Sequence, residues 1–304
     1  MMGTERVSSS FFESENRFGF TITPEMKKLW SIELELLDEF DRVCKLLGID
    51  YFLDSGTLLG AIRDGRFIPW DDDIDVIMLR KDYDVLISDM GKSFQKGYFF
   101  QCAYTDTDYP RGHAQLRKKG TCAMIPREAK HVKFDQGVFI DVFVLDGIAP
   151  SLEELIEQFE EKNKVLKILN LLCIPVSKNK AKTIIKMIMH IPCKVFFPDT
   201  KQEFAKYEEI CKRFDGAEYV DKIMFRKDYR KVFYLKREWF SSGKSICFEG
   251  KEYPVPNHYE DVLEAYYGES FREPVKDPTM HGGLIIDLER SYKEVLHEYR
   301  SVIT

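Results

Sequence analysis

The run Pro69-Trp70-Asp71-Asp72-Asp73-Ile74-Asp75-Val76 sets two carboxylates two residues apart inside an apolar stretch. If Asp73 to Leu79 is a strand, Asp73, Asp75 and Ile77 point to one side and Ile74, Val76 and Met78 to the other. Two carboxylates that close do not stay doubly ionised cheaply without a cation between them. A hard divalent ion is the natural occupant, because Mg²⁺ or Mn²⁺ takes oxygen ligands and usually binds through one or two carboxylates plus a substrate phosphate. The competing reading is a solvated acidic turn. The core-type neighbours Ile74, Val76, Ile77 and Met78 argue against it for Asp73 and Asp75, while Asp71 and Asp72 are expected to shape the loop. A third carboxylate, Asp141, interrupts Val138-Phe139-Ile140-Asp141-Val142-Phe143. Buried there, it needs a metal or a partner, and Arg117 is the candidate partner. Upstream, Ser55-Gly56-Thr57 ends a strand and opens a helix, where backbone N–H groups attract phosphate. Asp73, Asp75 and Asp141 are thus the expected metal ligands and catalytic residues, and Gly56 and Thr57 expected substrate contacts.

These residues need a framework of alternating elements. Thr23, Pro24 and Gly48 bracket a helix whose apolar positions Leu29, Ile32, Leu36, Leu37, Phe40, Val43, Cys44 and Leu47 share a face. Strands are expected at Ile49 to Leu53, Asp73 to Leu79, Tyr98 to Ala103, His113 to Arg117, Thr121 to Ile125 and Val138 to Leu145, with short helices from Gly56 to Arg63 and Lys81 to Met90. Lys118-Lys119-Gly120 reads as a hairpin turn between the strands on either side of it. Ser151 and Glu154 form a capping box opening a helical stretch to about Phe214. Short strands follow at Val232 to Leu235 and Ser245 to Phe248, with Glu249-Gly250-Lys251 as a turn. A helix from Asn257 to Gly268 comes next, and the chain ends in a helix after Leu288. The expected organisation is a loosely ordered 1–22, a catalytic core 23–150, a basic helical insert 151–215 and a small α/β part 216–304 that packs on the core.

With 304 residues, 44% of them apolar, the chain can bury a sizeable core, and its formal charge of −6 disfavours nucleic acid as a partner. Cys44, Cys102, Cys122, Cys173, Cys193, Cys211 and Cys247 show no paired motif, which fits a reducing compartment. With no apolar leader and no run long enough to span a bilayer, the expected location is cytoplasmic, peripheral at the inner membrane face. The peripheral element comes from residues 162–198, which contain no acid. There Lys162, Lys164, Lys167, Lys178, Lys180, Lys182, Lys186 and Lys194 alternate with apolar residues, a texture suited to an anionic leaflet. The plainer alternative is a helical subdomain with solvated lysines.

A Gly-hydroxyl turn, an Asp-x-Asp strand and a later single Asp, in that order, resemble the nucleotidyltransferase superfamily. Gly56-Thr57-Leu58-Leu59-Gly60-Ala61-Ile62-Arg63, followed by Phe67-Ile68-Pro69-Trp70-Asp71-Asp72-Asp73-Ile74-Asp75, is similar to the signature of the LicD family of phosphocholine transferases, related to fukutin and the fukutin-related protein. Val138 to Gly147, Arg237-Glu238-Trp239-Phe240, Phe248-Glu249-Gly250 with Pro254-Val255-Pro256, and Tyr267-Gly268 extend the likeness from about Tyr51 to Gly268. The segment between about 160 and 215 carries no such motif.

The resemblance implies an α/β (α+β) fold with a nucleotidyltransferase-like mixed sheet flanked by helices. It implies transfer of a phosphoalcohol, phosphocholine foremost, from a CDP-alcohol donor such as CDP-choline to a hydroxyl of a cell-surface glycan or lipid-linked glycan acceptor, with release of CMP. Such an in-line displacement at phosphorus is governed by positioning and charge neutralisation. Arg63 and Arg117 are then candidate phosphate contacts, Trp70 a ring for a base or a choline ammonium, and His281 a further contact. Two other functions use the same residues: a true nucleotidyltransferase that moves NMP from an NTP, and a non-catalytic nucleotide-binding scaffold.

Overall fold

The computed structural model describes residues 8–126, 128–129, 131–177, 179–276 and 283–303. Strands β1 (Glu15–Arg17) and β2 (Phe20–Ile22) pair as a hairpin about Phe18 and Gly19, both at positive φ. The side chain of Arg17 donates to Phe67 O at 3.0 Å and pins this hairpin to the body of the protein. Residues 15–22 are therefore ordered by pairing, although their polar composition carries no periodicity that shows it. Helix α1 (Pro24–Leu47) follows. Thr23 accepts from Met26 N–H, and Gly48, at φ 65°, closes the helix by donating to Cys44 O and Lys45 O.

The core continues through β3 (Phe52–Leu53), α2 (Ser55–Asp64), β4 (Asp75–Leu79), α3 (Arg80–Asp89), β5 (Tyr98–Gln101), β6 (Ala114–Lys118), β7 (Cys122–Met124) and β8 (Phe139–Gly147). Helices α4 (Leu152–Cys173), α5 (Lys180–Phe196) and α6 (Thr200–Lys212) form the insert. The remainder is β9 (Tyr219–Asp221), β10 (Leu235–Lys236), β11 (Gly243–Phe248), β12 (Lys251–Pro256), α7 (Tyr259–Tyr267), β13 (Ile285–Asp287) and α8 (Tyr292–Ile303). The class is α/β, with a mixed sheet of 7 strands plus small two-stranded sheets among the described residues.

β8 is the spine of the main sheet. It runs parallel to β4 along one edge, and along the other it meets β6 with its first half and β9 with its end, both antiparallel. Since β9 also pairs with β10, the chain beyond residue 215 adds strands to the same sheet. The hairpin expected around Lys118-Lys119-Gly120 does not form. β6 has β5 on one edge and β8 on the other, so no edge remains for β7, which pairs with β13 instead. The turn at Glu249-Gly250 does join β11 to β12, with both residues at positive φ.

The insert is bound to the sheet by a buried ion cluster. Arg80 donates to both carboxylate oxygens of Asp146 at 2.7 and 2.9 Å and to Glu208 on α6 at 2.9 Å. A fork of this kind satisfies the buried guanidinium from two elements at once. Beside it, Gly147 lies so close to the end of α6 that a Cβ would meet Phe214 O at 1.7 Å. Backbone cannot yield there as a flexible side chain could. Gly147→Ala is therefore expected to lower stability by about 1–3 kcal/mol, read as a lowered Tm; an unchanged Tm would mean that this junction is loose.

Candidate active site

The parallel register of β4 and β8 sets Asp75 beside Asp141, and Asp141 N–H donates to Ile74 O at 2.9 Å. Registered neighbours in a sheet project to the same face, with strands about 4.8 Å apart. Asp73 joins them from just before β4, and Asp73, Asp75 and Asp141 each offer a carboxylate oxygen within 4.8 Å of the others. Asp71, Asp72 and Asp73 form a second such group along the loop.

The row extends across the sheet. β6 pairs Gln115 with Asp141, and β5 pairs Gln101 with Gln115. On the other side, Asp54 at the end of β3 donates its N–H to Asp75 O at 3.0 Å. One face thus carries Gln101, Gln115, Asp141, Asp75 and Asp54 in sequence. Gln115 Nε2 donates to Asp141 Oδ1 at 2.6 Å, and His113 Nε2 is 3.2 Å from the same oxygen. The orientation of Gln115 is set in turn by Arg117. This guanidinium is buried and donates to Gln101 Oε1, Gly137 O and Gln115 Oε1. Burial pulls it down to about 10.

The start of α2 is built around these carboxylates. Ser55 takes a positive φ of 50°, and Thr57 Oγ1 accepts from Asp75 N–H at 2.9 Å, locking the helix start to the acidic strand. Gly56 lies against the acidic loop: a Cβ would lie 2.3 Å from Asp71 Oδ2, so that carboxylate would have to move to admit one. The buried Lys222 donates to Asp54 Oδ2 at 2.6 Å and to Ser55 Oγ at 3.0 Å, placing one cation beside the acidic row.

Several sequence expectations need correcting here. Arg117 is enclosed and its donors are engaged inside the fold, so it is a support for Asp141, acting through Gln115, rather than a phosphate contact or a direct ion pair. Arg63 lies at the far end of α2, roughly 12 Å along the axis from Ser55. It donates to Asp64 at 2.9 Å, with its guanidinium over the Phe18 ring. Trp70 is buried with its ring edge-on to Phe20, which leaves little surface for a ligand. His281 lies outside the described residues. A cavity of about 470 Å³ lined by Met90, Phe94, Tyr98 and Phe100 lies elsewhere and contains none of the carboxylates.

Other members were not singled out from sequence. Gln115 stands two residues before Arg117 on β6, and His113 two before that, just ahead of the strand. Glu33 is buried on the apolar face of α1, and its Oε2 has no hydrogen-bond partner among the described residues. An acid four residues after Leu29 on a core-facing stripe was the available signal. Its carboxyl is pushed well up by desolvation and then by Asp73, Asp72, Asp71 and Asp75. The Asp75 carboxyl is likewise raised by desolvation, then by Asp73 and Asp141, against a lowering pull from Lys222.

Residues 48–122 match the family model described as LicD/FKTN/FKRP, nucleotidyltransferase domain, a span that includes Gly56, Thr57, Asp73 and Asp75. The chain is also 28% identical over 258 residues to the lipopolysaccharide cholinephosphotransferase LicD of Haemophilus influenzae, covering 83% of this chain and 95% of that protein. Both comparisons agree in what the chain is similar to, the LicD family. The chain is a transferase, and the carboxylate row spans the boundary of the matched region, since Asp141 lies beyond residue 122. β8 supplies from outside the matched span the acid that completes the cluster.

Two predictions follow from the geometry. Arg117→Met would leave the acceptors of Gln101, Gln115 and Gly137 buried without their donor. The expected loss is about 3 kcal/mol or more in a denaturant melt, and a loss under about 1 kcal/mol would remove Arg117 from its supporting role. The second concerns pH. Asp75 and Glu33 hold protons in the fold that the unfolded chain, with ordinary values near ~4, has released. With divalent ions chelated, stability should therefore fall as the pH rises above the ordinary carboxylate range. Asp75→Asn should flatten that slope and raise the Tm at the upper end, and an equal slope in both proteins would contradict the raised carboxyl.

Proposed function

We propose that the protein transfers phosphocholine from CDP-choline to a hydroxyl of a cell-surface glycan or its lipid-linked precursor, releasing CMP. The observation that carries this reading is the β4–β8 register, which gathers Asp73, Asp75 and Asp141 in a chain similar over most of its length to a named cholinephosphotransferase. The three carboxylates suit a hard divalent cation, Mg²⁺ or Mn²⁺. Bound there, the cation would neutralise charge on the donor's phosphates and on the departing CMP.

The chain's own residues supply position. Gln115 and His113 hold Asp141 from one oxygen, while Thr57 holds the backbone of Asp75. The first N–H groups of α2, at Ser55, Gly56 and Thr57, have no partner within the helix and form the natural cradle for phosphate. The acceptor hydroxyl attacks phosphorus, the bond to the CMP oxygen breaks, and the hydroxyl proton passes to the carboxylate cluster or to water. For the choline ammonium, Tyr267 replaces the buried Trp70 as the aromatic candidate. It is 44% exposed. Its hydroxyl is pushed up by desolvation and then by the charges of Asp54, Asp75, Asp71 and Asp73. An aromatic face beside carboxylates suits a quaternary cation.

Thermal shift with Mg²⁺ against CDP-choline, CDP-ribitol, CDP-glycerol, CTP and ATP tests the donor. A Mg²⁺-dependent stabilisation by CDP-choline is expected, of roughly 2.7 kcal/mol at a hundredfold excess over Kd. It should be lost in Asp73→Asn, with choline selectivity weakened in Tyr267→Ala and kept in Tyr267→Phe. Stabilisation by CTP or ATP, with pyrophosphate release, would instead make the protein a nucleotidyltransferase.

A further inference from the structure

Helix α5 is amphipathic in the reverse of the usual sense. The residues it turns toward the protein are mostly polar: Thr183 bonds Ser177, Lys186 donates to Val176 O at 3.0 Å, His190 Nδ1 is 3.0 Å from Leu171 O, and Cys193 is buried. Its apolar residues face outward. Ile184, Ile188, Ile191 and Val195 recur at i, i+4, i+7 and i+11, one stripe of a helix, and are 60%, 68%, 71% and 72% exposed. Ile185, Met187, Met189 and Phe196 widen the stripe, all of them exposed. A continuous exposed apolar face of this kind marks an interaction surface.

We propose that α5 docks on an anionic lipid bilayer, lying in the plane of the interface with its apolar stripe in the acyl boundary. Charge selects this occupant. The helix contains no acid, and the exposed Lys180, Lys182 and Lys194 stand at its two ends, where long stems reach from the apolar face to headgroup phosphates. A second copy docking on the same face would bring lysine ends against lysine ends with no acid to answer them. No helix among the described residues is long and apolar enough to cross a membrane, so the contact is peripheral. The inference rests on α5 alone and stands whichever group the enzyme transfers.

The full-length protein is floated with phosphatidylcholine vesicles, with and without phosphatidylglycerol. Binding is expected only to the anionic vesicles and to weaken with salt. Ile188→Asp with Val195→Asp should reduce it at least about tenfold, as should Lys182→Glu with Lys194→Glu. All four positions are exposed, so an unchanged Tm and unchanged transfer to a soluble acceptor are expected, which separates this test from that of the catalytic reading. Two outcomes would overturn the proposal: no binding to anionic vesicles, or binding that neither pair of substitutions weakens. Light scattering that shows a dimer dispersed by Ile188→Asp with Val195→Asp, without vesicle binding, would assign the face to a second copy.

Discussion

The parallel pairing of β4 with β8 is the constraint on which the site depends. It sets Asp75 against Asp141 and repeats the match at every residue through Leu79 and Leu145. Because side chains alternate along a strand, a slip of one residue would turn either acid to the opposite face. Val76, Ile77, Met78, Val142 and Val144 are buried and hold the register through packing. The apolar core thereby fixes the spacing of charges that would otherwise separate. The same acids work against the fold, since their mutual repulsion and desolvation raise the Asp75 carboxyl. A site of this type trades stability for a place where a cation and phosphate are welcome.

The buried cations fit the same account. Lys222 closes on Asp54 and Ser55, at the junction where β3 gives way to α2, and steadies the helix start. Arg117 stands three strands away, on β6, and acts on Asp141 through Gln115. An amide fixes the direction of a carboxylate oxygen without adding the full positive charge that a guanidinium would bring. The interposed Gln115 thus orients Asp141 within the carboxylate row.

Much of this was legible in the sequence because it was local. The Thr23 and Gly48 ends of α1, the capping box at Ser151, the Asp-x-Asp strand and the lone acid in β8 each announce themselves within a few residues. What escaped depends on pairing between distant segments. Arg117 looks like a phosphate contact in sequence, and only its place between Gln101 and Gly137 shows its donors to be engaged. The hairpin expected after β6 failed for a similar reason, since turn residues suit many partners and both edges of β6 were already taken. Glu33 went unremarked because one acid on an apolar helical stripe acquires meaning only when the Asp71 to Asp73 loop folds against it.

The basic insert shows the limit of counting charges. Lys162 belongs to the acid-free stretch, yet it is buried, donates to Arg226 O and lies over the Phe159 ring, and burial pulls it down to about 8. Lys186 turns inward to a backbone carbonyl. Composition weighs these lysines equally with Lys182 and Lys194, although Lys162 is buried and Lys186 is half-buried. Periodicity shows that α5 has an apolar side but cannot say which side meets the protein. The orientation is decided by Thr183, Lys186 and His190, whose hydrogen bonds to Ser177, Val176 and Leu171 cap the backbone left open at the end of α4. Satisfying those part-buried groups fixes the helix polar side inward, and the apolar side is exposed as the consequence.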